Sequence, residues 1–236
     1  MNKPFGWHAV PRDFKAALQG KSKLHDPKPY KPSDLPYPDT PLVRSSLDCV
    51  QKQLRPETLN HSLRVYYYGM AILTDQFPHW LSDDWINPET WLLTCLWHDI
   101  GTTHENLRKT HMSFDFWGGI EALNVLRSFG AENSQAEAVA EAIIRHQDPG
   151  QTGTISCMGL LVQMATLFDN LGHLADLIHP ETIKNVVAKY PRNGWSGCFA
   201  NTIREEIGLK PWCHSTAIEN FAELVENNEL MKPYDR

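Results

Sequence analysis

No stretch of this 236-residue chain is apolar for long enough to cross a bilayer. The opening residues Met1-Asn2-Lys3-Pro4-Phe5-Gly6-Trp7 hold no apolar core of a secretory signal. Cysteines are few and unpatterned: five, at positions 49, 95, 157, 198 and 213, an odd number without framework spacing. This excludes a disulfide scaffold and predicts reduced thiols in a cytoplasmic protein. Blocks of like charge are missing too. The net charge of −6 is dispersed, which argues against nucleic acid or an anionic membrane as a partner. Convincing alternation of apolar and polar residues is absent, as are internal repeats. What remains is 42% hydrophobic and 21% charged, the composition of a globular protein of one large domain.

The periodicity that is present is helical. Residues 1–41 carry six prolines from Pro27 to Pro41 and predict an irregular arm that packs over the domain at 42–236. Helical spacing begins at Pro41. Pro56 opens a second helix that runs to about Phe77, with His61, Val65, Tyr68 and Ile72 on one face and Leu59, Leu63, Tyr66 and Met70 on another. A helix apolar on two sides is largely buried. Asn87-Pro88-Glu89 is a helix start, and the apolar run Trp91–Trp97 follows. Gly101 is the expected stop, which puts His98 and Asp99 on the last turn. Thr102–Asn106 reads as a polar loop. Phe114 to Trp117 lead into a helix at 120–126 closed by Gly130, and the Gly118-Gly119 pair implies close backbone packing or room for a ligand. Ser134 and Glu137 have the spacing of a capping box for a helix ending at His146. Ser156 caps a helix from Met158 to Asn170, closed by Gly172, and further helices are expected at 180–190, 197–209 and 215–227. The fold class expected is all-α, a single helical bundle.

Four polar residues interrupt these inward apolar faces: His61, the adjacent His98 and Asp99, and Asp169. Carboxylates and imidazoles are rarely buried without a partner. Two imidazoles and two carboxylates form a donor set for Zn²⁺, Fe²⁺ or Mn²⁺, and the lack of a cysteine ligand reads as a site open to water or substrate. His146 follows Val139 and Ile143 on another inward face. Taken singly, His61 also fits a core histidine bonded to a backbone carbonyl, and the His98-Asp99 pair a helix end with a capping side chain.

The order His, His-Asp, Asp on separate helices is that of the HD-domain superfamily. More closely, the chain resembles the fungal HD-type cyanamide hydratases. The resemblance is carried by Pro56-Glu57-Thr58-Leu59-Asn60-His61-Ser62-Leu63-Arg64-Val65, by Leu96-Trp97-His98-Asp99-Ile100-Gly101-Thr102, and by Met112-Ser113-Phe114-Asp115 with Gly118-Gly119-Ile120. It continues through Gln135–His146, Ala165-Thr166-Leu167-Phe168-Asp169-Asn170 and Lys210-Pro211-Trp212-Cys213-His214. Residues 14–40 do not take part in it. The resemblance implies a zinc-dependent lyase that adds water to the nitrile of a small molecule, cyanamide, to give urea without an organic cofactor. It makes His61, His98, Asp99 and Asp169 the metal ligands.

Within that reading His146 is the candidate proton donor or the group that orients the substrate's amino end; a bond to a ligand carboxylate is the other role open to it. Thr166 and Asn170 flank Asp169 and either touch substrate, fix the carboxylate or cap the helix. Phe114 and Trp117 are candidate walls of a tight substrate pocket, or core. The alternative activity is an HD-type nucleotide phosphohydrolase, which would draw on Arg64, Arg108, Lys109 and Arg145 for phosphate. Trp80, Trp85, Trp195 and Trp212 suggest a homo-oligomer.

Overall fold

The structure, a computed structural model, describes residues 4–235, so the first three residues of the expected arm and Arg236 lie outside the described residues. The regular structure of the described residues is helical apart from two three-residue strands. In order it forms β1 (Ala9–Pro11), α1 (Phe14–Ala17), α2 (Pro41–Gln53), α3 (Pro56–Gln76), α4 (Pro78–Ser82), α5 (Pro88–Trp97) and α6 (His104–Lys109). There follow α7 (Phe114–Ser128), α8 (Asn133–Ile144), β2 (Thr154–Ser156), α9 (Cys157–Leu171), α10 (Pro180–Lys189), α11 (Trp195–Leu209) and α12 (Phe221–Glu226). No helix of the described residues is long and apolar enough to cross a membrane.

Helix α3 is the axis of the bundle. His61, Val65, Tyr68 and Ile72 have no solvent exposure at all, and Leu63, Tyr66 and Met70 of the second stripe are buried as well. It packs against α5 and α9, the two helices that bring in the other candidate ligands. The approach of α5 is set by a missing side chain. A Cβ on Gly69 would lie 2.1 Å from Cζ2 of Trp91, whose indole N–H donates to the Tyr66 carbonyl at 3.0 Å. Helix α5 starts as its sequence demands: Asn87 Oδ1 accepts from Thr90 N at 2.7 Å and Pro88 fills the first position.

Several local expectations need correction. Gly101 does not end α5 in a left-handed turn. The α-helix stops at Trp97, His98 keeps helical angles, and Asp99 leads into a 3₁₀ turn over Ile100–Thr102. Gly101 is there for space: a Cβ would lie 2.0 Å from the Phe114 carbonyl oxygen. The segment after it is not a loop, because Thr103 Oγ1 accepts from Asn106 N and starts α6. Helix α7 runs straight through the glycine pair; a Cβ on Gly119 would lie 2.5 Å from Ile144 Cγ1 and 2.9 Å from the Ala140 carbonyl. Gly119 therefore serves close packing of α7 on α8, and Gly118, whose Cβ would lie 3.3 Å from Gly101 N, faces the turn after α5. The capping box at Ser134 does not start α8, which begins at Asn133, while the Ser134 hydroxyl accepts from Trp7 Nε1 at 3.0 Å. The helix expected at 215–227 is broken into a 3₁₀ turn, His214–Ala217, and α12, with Asn220 at φ 52° between them.

The arm is tied down along its length. β1 pairs antiparallel with β2, Val10 opposite Ile155. Backbone N–H groups of Leu24 and His25 donate to Gln76 Oε1, and Lys28 N and the Tyr30 hydroxyl donate to Asp75 at the end of α3. Of the four tryptophans noted above, Trp80 and Trp195 are core, whereas Trp212 is 63% exposed.

The Gly69–Trp91 contact yields a prediction. Gly69→Ala should lower unfolding stability by about 1–3 kcal/mol, the usual cost of overpacking, as read from chemical denaturation. A variant as stable as the wild type would contradict the close α3–α5 approach.

Candidate metal centre

His61 projects from α3, and His98 and Asp99 from the end of α5. Among the described residues, one ligand atom from each of these three lies within 4.8 Å of the others. His61 Nε2 is 3.1 Å from His98 Nε2; Asp99 Oδ2 is 3.6 Å from the first and 3.3 Å from the second. All three side chains are buried.

The outer ring nitrogens decide what the inner ones can do. His61 Nδ1 lies 2.6 Å from Asp169 Oδ2, and His98 Nδ1 lies 2.7 Å from the Cys95 carbonyl. Both partners only accept, so both Nδ1 atoms carry hydrogen. In the neutral rings each Nε2 is then a bare lone pair, and the two face each other. Burial drives His61 toward this neutral form, down to about 4, against the pull of Asp169. Both carboxylate oxygens of Asp99 are buried without a hydrogen-bond partner. Burial alone would raise Asp99, but His98, His61 and His146 outweigh it and hold the carboxyl below the usual range. The same pairing raises His98 despite its burial. A proton on His98 Nε2 satisfies one of the converging acceptors; a divalent cation satisfies all three. Two nitrogens, one carboxylate and an unpaired buried negative charge fit a metal ion.

Asp169 does not join this trio in the structure. Its carboxylate stands behind His61, where Arg64 donates from Nε and Nη2 at 3.0 and 2.8 Å and Arg192 donates from Nη1 at 2.8 Å. With His61 on Oδ2, its lone pairs are spoken for. All four side chains have no exposure. Two guanidinium groups outweigh the burial of Asp169 and keep it ionised. Trp195 stacks on the His61 ring, centroids 4.3 Å apart and 13° from parallel, and its indole N–H donates to Asn170 Oδ1 at 2.8 Å.

The other candidates fall at graded distances from the trio. His146 lies just beyond the end of α8, buried, with Nδ1 2.6 Å from the Ile143 carbonyl and Nε2 3.9 Å from Asp99 Oδ1. Burial and the neighbouring His98 lower its pKa. Gln163 holds that turn, donating to the Arg145 and Asp148 carbonyls at 2.7 and 3.0 Å. The Phe114 ring is buried, its centroid 5.6 Å from that of His146. Trp117 is half-buried and engaged elsewhere, with its N–H on Glu121 and Lys109 over its face. The Thr166 hydroxyl donates to the Val162 carbonyl at 2.8 Å.

Sequence reasoning missed Arg192, which lies after Pro191 in a stretch without an apolar pattern, and weighed Trp195 only as a sign of self-association. It noticed Arg64 but weighed it as a phosphate contact. Its signal was there: an arginine three residues after His61 on a helix apolar on two sides needs a buried carboxylate.

The HD domain family model matches residues 58–181, a span that contains the trio, His146, Thr166 and Asp169. Two proteins of Saccharomyces cerevisiae, named cyanamide hydratase DDI2 and cyanamide hydratase DDI3, are each 40% identical to this chain over 223 residues, covering 94% of it and 95% of the relative. A solved structure described as a predicted HD superfamily hydrolase, from an uncultured Thermotogales bacterium, superimposes with a TM-score of 0.42 at 20% identity, covering 68% of this chain and 89% of that one. By the family match and the extent of the yeast likeness, this chain belongs to the HD-domain family, in the company of the yeast cyanamide hydratases.

Proposed function

We propose that the chain is a metal-dependent lyase that adds water across the nitrile of cyanamide to give urea. The observation that carries this reading is the buried trio of His61 Nε2, His98 Nε2 and Asp99 in a chain so similar to proteins named for that activity. His61, His98 and Asp99 would hold the ion. Nitrogen and carboxylate donors with positions left open suit zinc, ahead of Fe²⁺ or Mn²⁺. A bound ion of this kind lowers the pKa of water to about 7 and polarises its substrate. In this reading Asp169 orients His61 from behind, as a carboxylate does for many metal-bound imidazoles.

The protein's own groups move the protons. With Nδ1–H donated to Ile143, neutral His146 presents an Nε2 lone pair toward Asp99. It accepts a proton from the water whose oxygen bonds to the nitrile carbon, then returns that proton to the nitrile nitrogen as one C–N π bond breaks. The product of this addition is isourea, and a further proton shift from oxygen to nitrogen gives urea. Phe114 beside His146 excludes bulk water. Thr166 and Asn170 remain candidates for the substrate's polar ends, although the Thr166 hydrogen and Asn170 Oδ1 have partners inside the protein. Trp117 is a weaker candidate for the pocket wall.

A nucleotide phosphohydrolase would need free cations at the site, and the four in question are engaged. Arg64 is on Asp169, Arg145 pairs with Glu141 and Asp148, Arg108 with Glu205, and Lys109 with Glu105. The proposal includes a cytoplasmic setting, supported by five free thiols, and self-association, supported by the exposed Trp212.

Three outcomes test this reading. Purified protein loaded with zinc should release urea from cyanamide in a coupled urea assay, and stripping the ion should abolish it; full activity after chelation would refute metal dependence. His98→Ala and Asp99→Ala should lose both zinc and activity, whereas Asp169→Asn should bind zinc about 10–100-fold more weakly; an unchanged affinity in Asp169→Asn would remove it from the centre. His146→Ala should keep one ion per chain by metal analysis yet lose about 10²–10⁴-fold in turnover. Loss of zinc in that variant would make His146 a ligand instead.

A further inference from the structure

Behind the metal trio the buried charges do not balance. Arg64 and Arg192 are both fully buried, and the one carboxylate between them is Asp169. Two positive charges against one negative leave an excess of +1 next to a centre that is to take up a cation. The excess bears most directly on His61, whose Nδ1 lies 2.6 Å from the carboxylate that both arginines share. In a medium that screens poorly, an uncompensated charge at this range repels an incoming ion.

The missing negative charge comes from the far end of the chain. Asp235 Oδ1 accepts from Arg192 Nε at 3.0 Å, and the Asp235 side chain is 15% exposed. The contacts run without a break: Asp235 to Arg192 at 3.0 Å, Arg192 to Asp169 at 2.8 Å, Asp169 to His61 at 2.6 Å. Asp235 also accepts from the backbone N–H of Ser196 at 3.2 Å. It thereby supplies the first turn of α11 with the cap that Gly194, at φ 74° and without a side chain, cannot give. That turn carries Trp195, the residue stacked on His61.

We propose that Asp235 is a positioning residue for the metal centre: it neutralises Arg192, so that Arg64, Arg192, Asp169 and Asp235 sum to zero and the centre keeps its affinity for a divalent ion. The C-terminal segment is then part of the site, although it contributes no ligand. This inference rests on the metal reading given above. Asp235 acts through Arg192 and Asp169 rather than on substrate, so its effect falls on ion binding.

The test is the zinc dissociation constant of the full chain, measured by competition with a chromophoric chelator. Asp235→Asn keeps an oxygen for Ser196 N–H and removes the charge, and it should weaken zinc binding at least fivefold, in the range typical of outer partners of metal ligands. A smaller change would overturn the proposal. A merely structural cap would instead lower the unfolding midpoint of the zinc-free protein and leave the dissociation constant of the folded protein where it was. A second background keeps the test sharp if Asp235→Asn folds poorly alone. In Arg192→Met the guanidinium that ties Asp235 to Asp169 is gone and the partly exposed carboxylate is free to turn to solvent, so adding Asp235→Asn should change zinc affinity less than twofold. A fivefold loss there would show that Asp235 does not act through Arg192. Wild-type protein that takes up no zinc would instead overturn the metal reading itself, and the proposal with it.

Discussion

One hydrogen bond governs the centre, that from His61 Nδ1 to Asp169. It fixes the tautomer of His61 and so turns Nε2 into a lone pair aimed at His98 and Asp99. Without it a buried neutral imidazole is free to put its hydrogen inward, and the trio loses a donor. The bond is held by what surrounds Asp169. Two buried guanidiniums keep the carboxylate ionised and oriented, and the Trp195 face keeps the ring from tilting. Burying so many charges is unfavourable in itself, and removing one partner of such a cluster typically costs about 3–5 kcal/mol.

Close helix contacts bring the pieces to that bond. Gly69 lets Trp91 lie against α3, and so lets α5, which leads to His98, approach the helix that carries His61. Gly101, Gly118 and Gly119 do the same for the start of α7 and its seat on α8, which places Phe114 beside His146. These small residues bring together three segments, the end of α5, the start of α7 and the turn after α8, at one buried point. The turn that carries His146 is fixed by Gln163 from α9, the same helix that carries Asp169.

Much of this was legible in the sequence, and the remainder was not for identifiable reasons. Periodicity and caps gave the long helices α3, α5 and α9 nearly to their ends, because Pro56, Asn87-Pro88 and Ser156 are strong local signals and Gly172 at φ 68° is a true left-handed stop. Gly101 misled because a glycine needed for space looks the same in sequence as one needed for its backbone angle. Ser134 misled because its hydroxyl serves Trp7, 127 residues away. His61, His98 and Asp99 stood out as polar residues on apolar faces, and the structure gathers them. Asp169 stood out for the same reason, but periodicity says only that a residue points inward. It does not say whether its partner is an ion or a pair of arginines, and Arg192 comes from a loop with no pattern to read.

The centre is tested most directly by a crystal structure of the zinc-loaded protein with anomalous data at the zinc edge. The expected map has one ion bound by His61 Nε2, His98 Nε2 and Asp99 at about 2.0–2.2 Å, with Asp169 still on His61 Nδ1 and still held by Arg64 and Arg192. An ion bound directly by an Asp169 oxygen, with its arginines turned away, would contradict the division between ligands and supports drawn here.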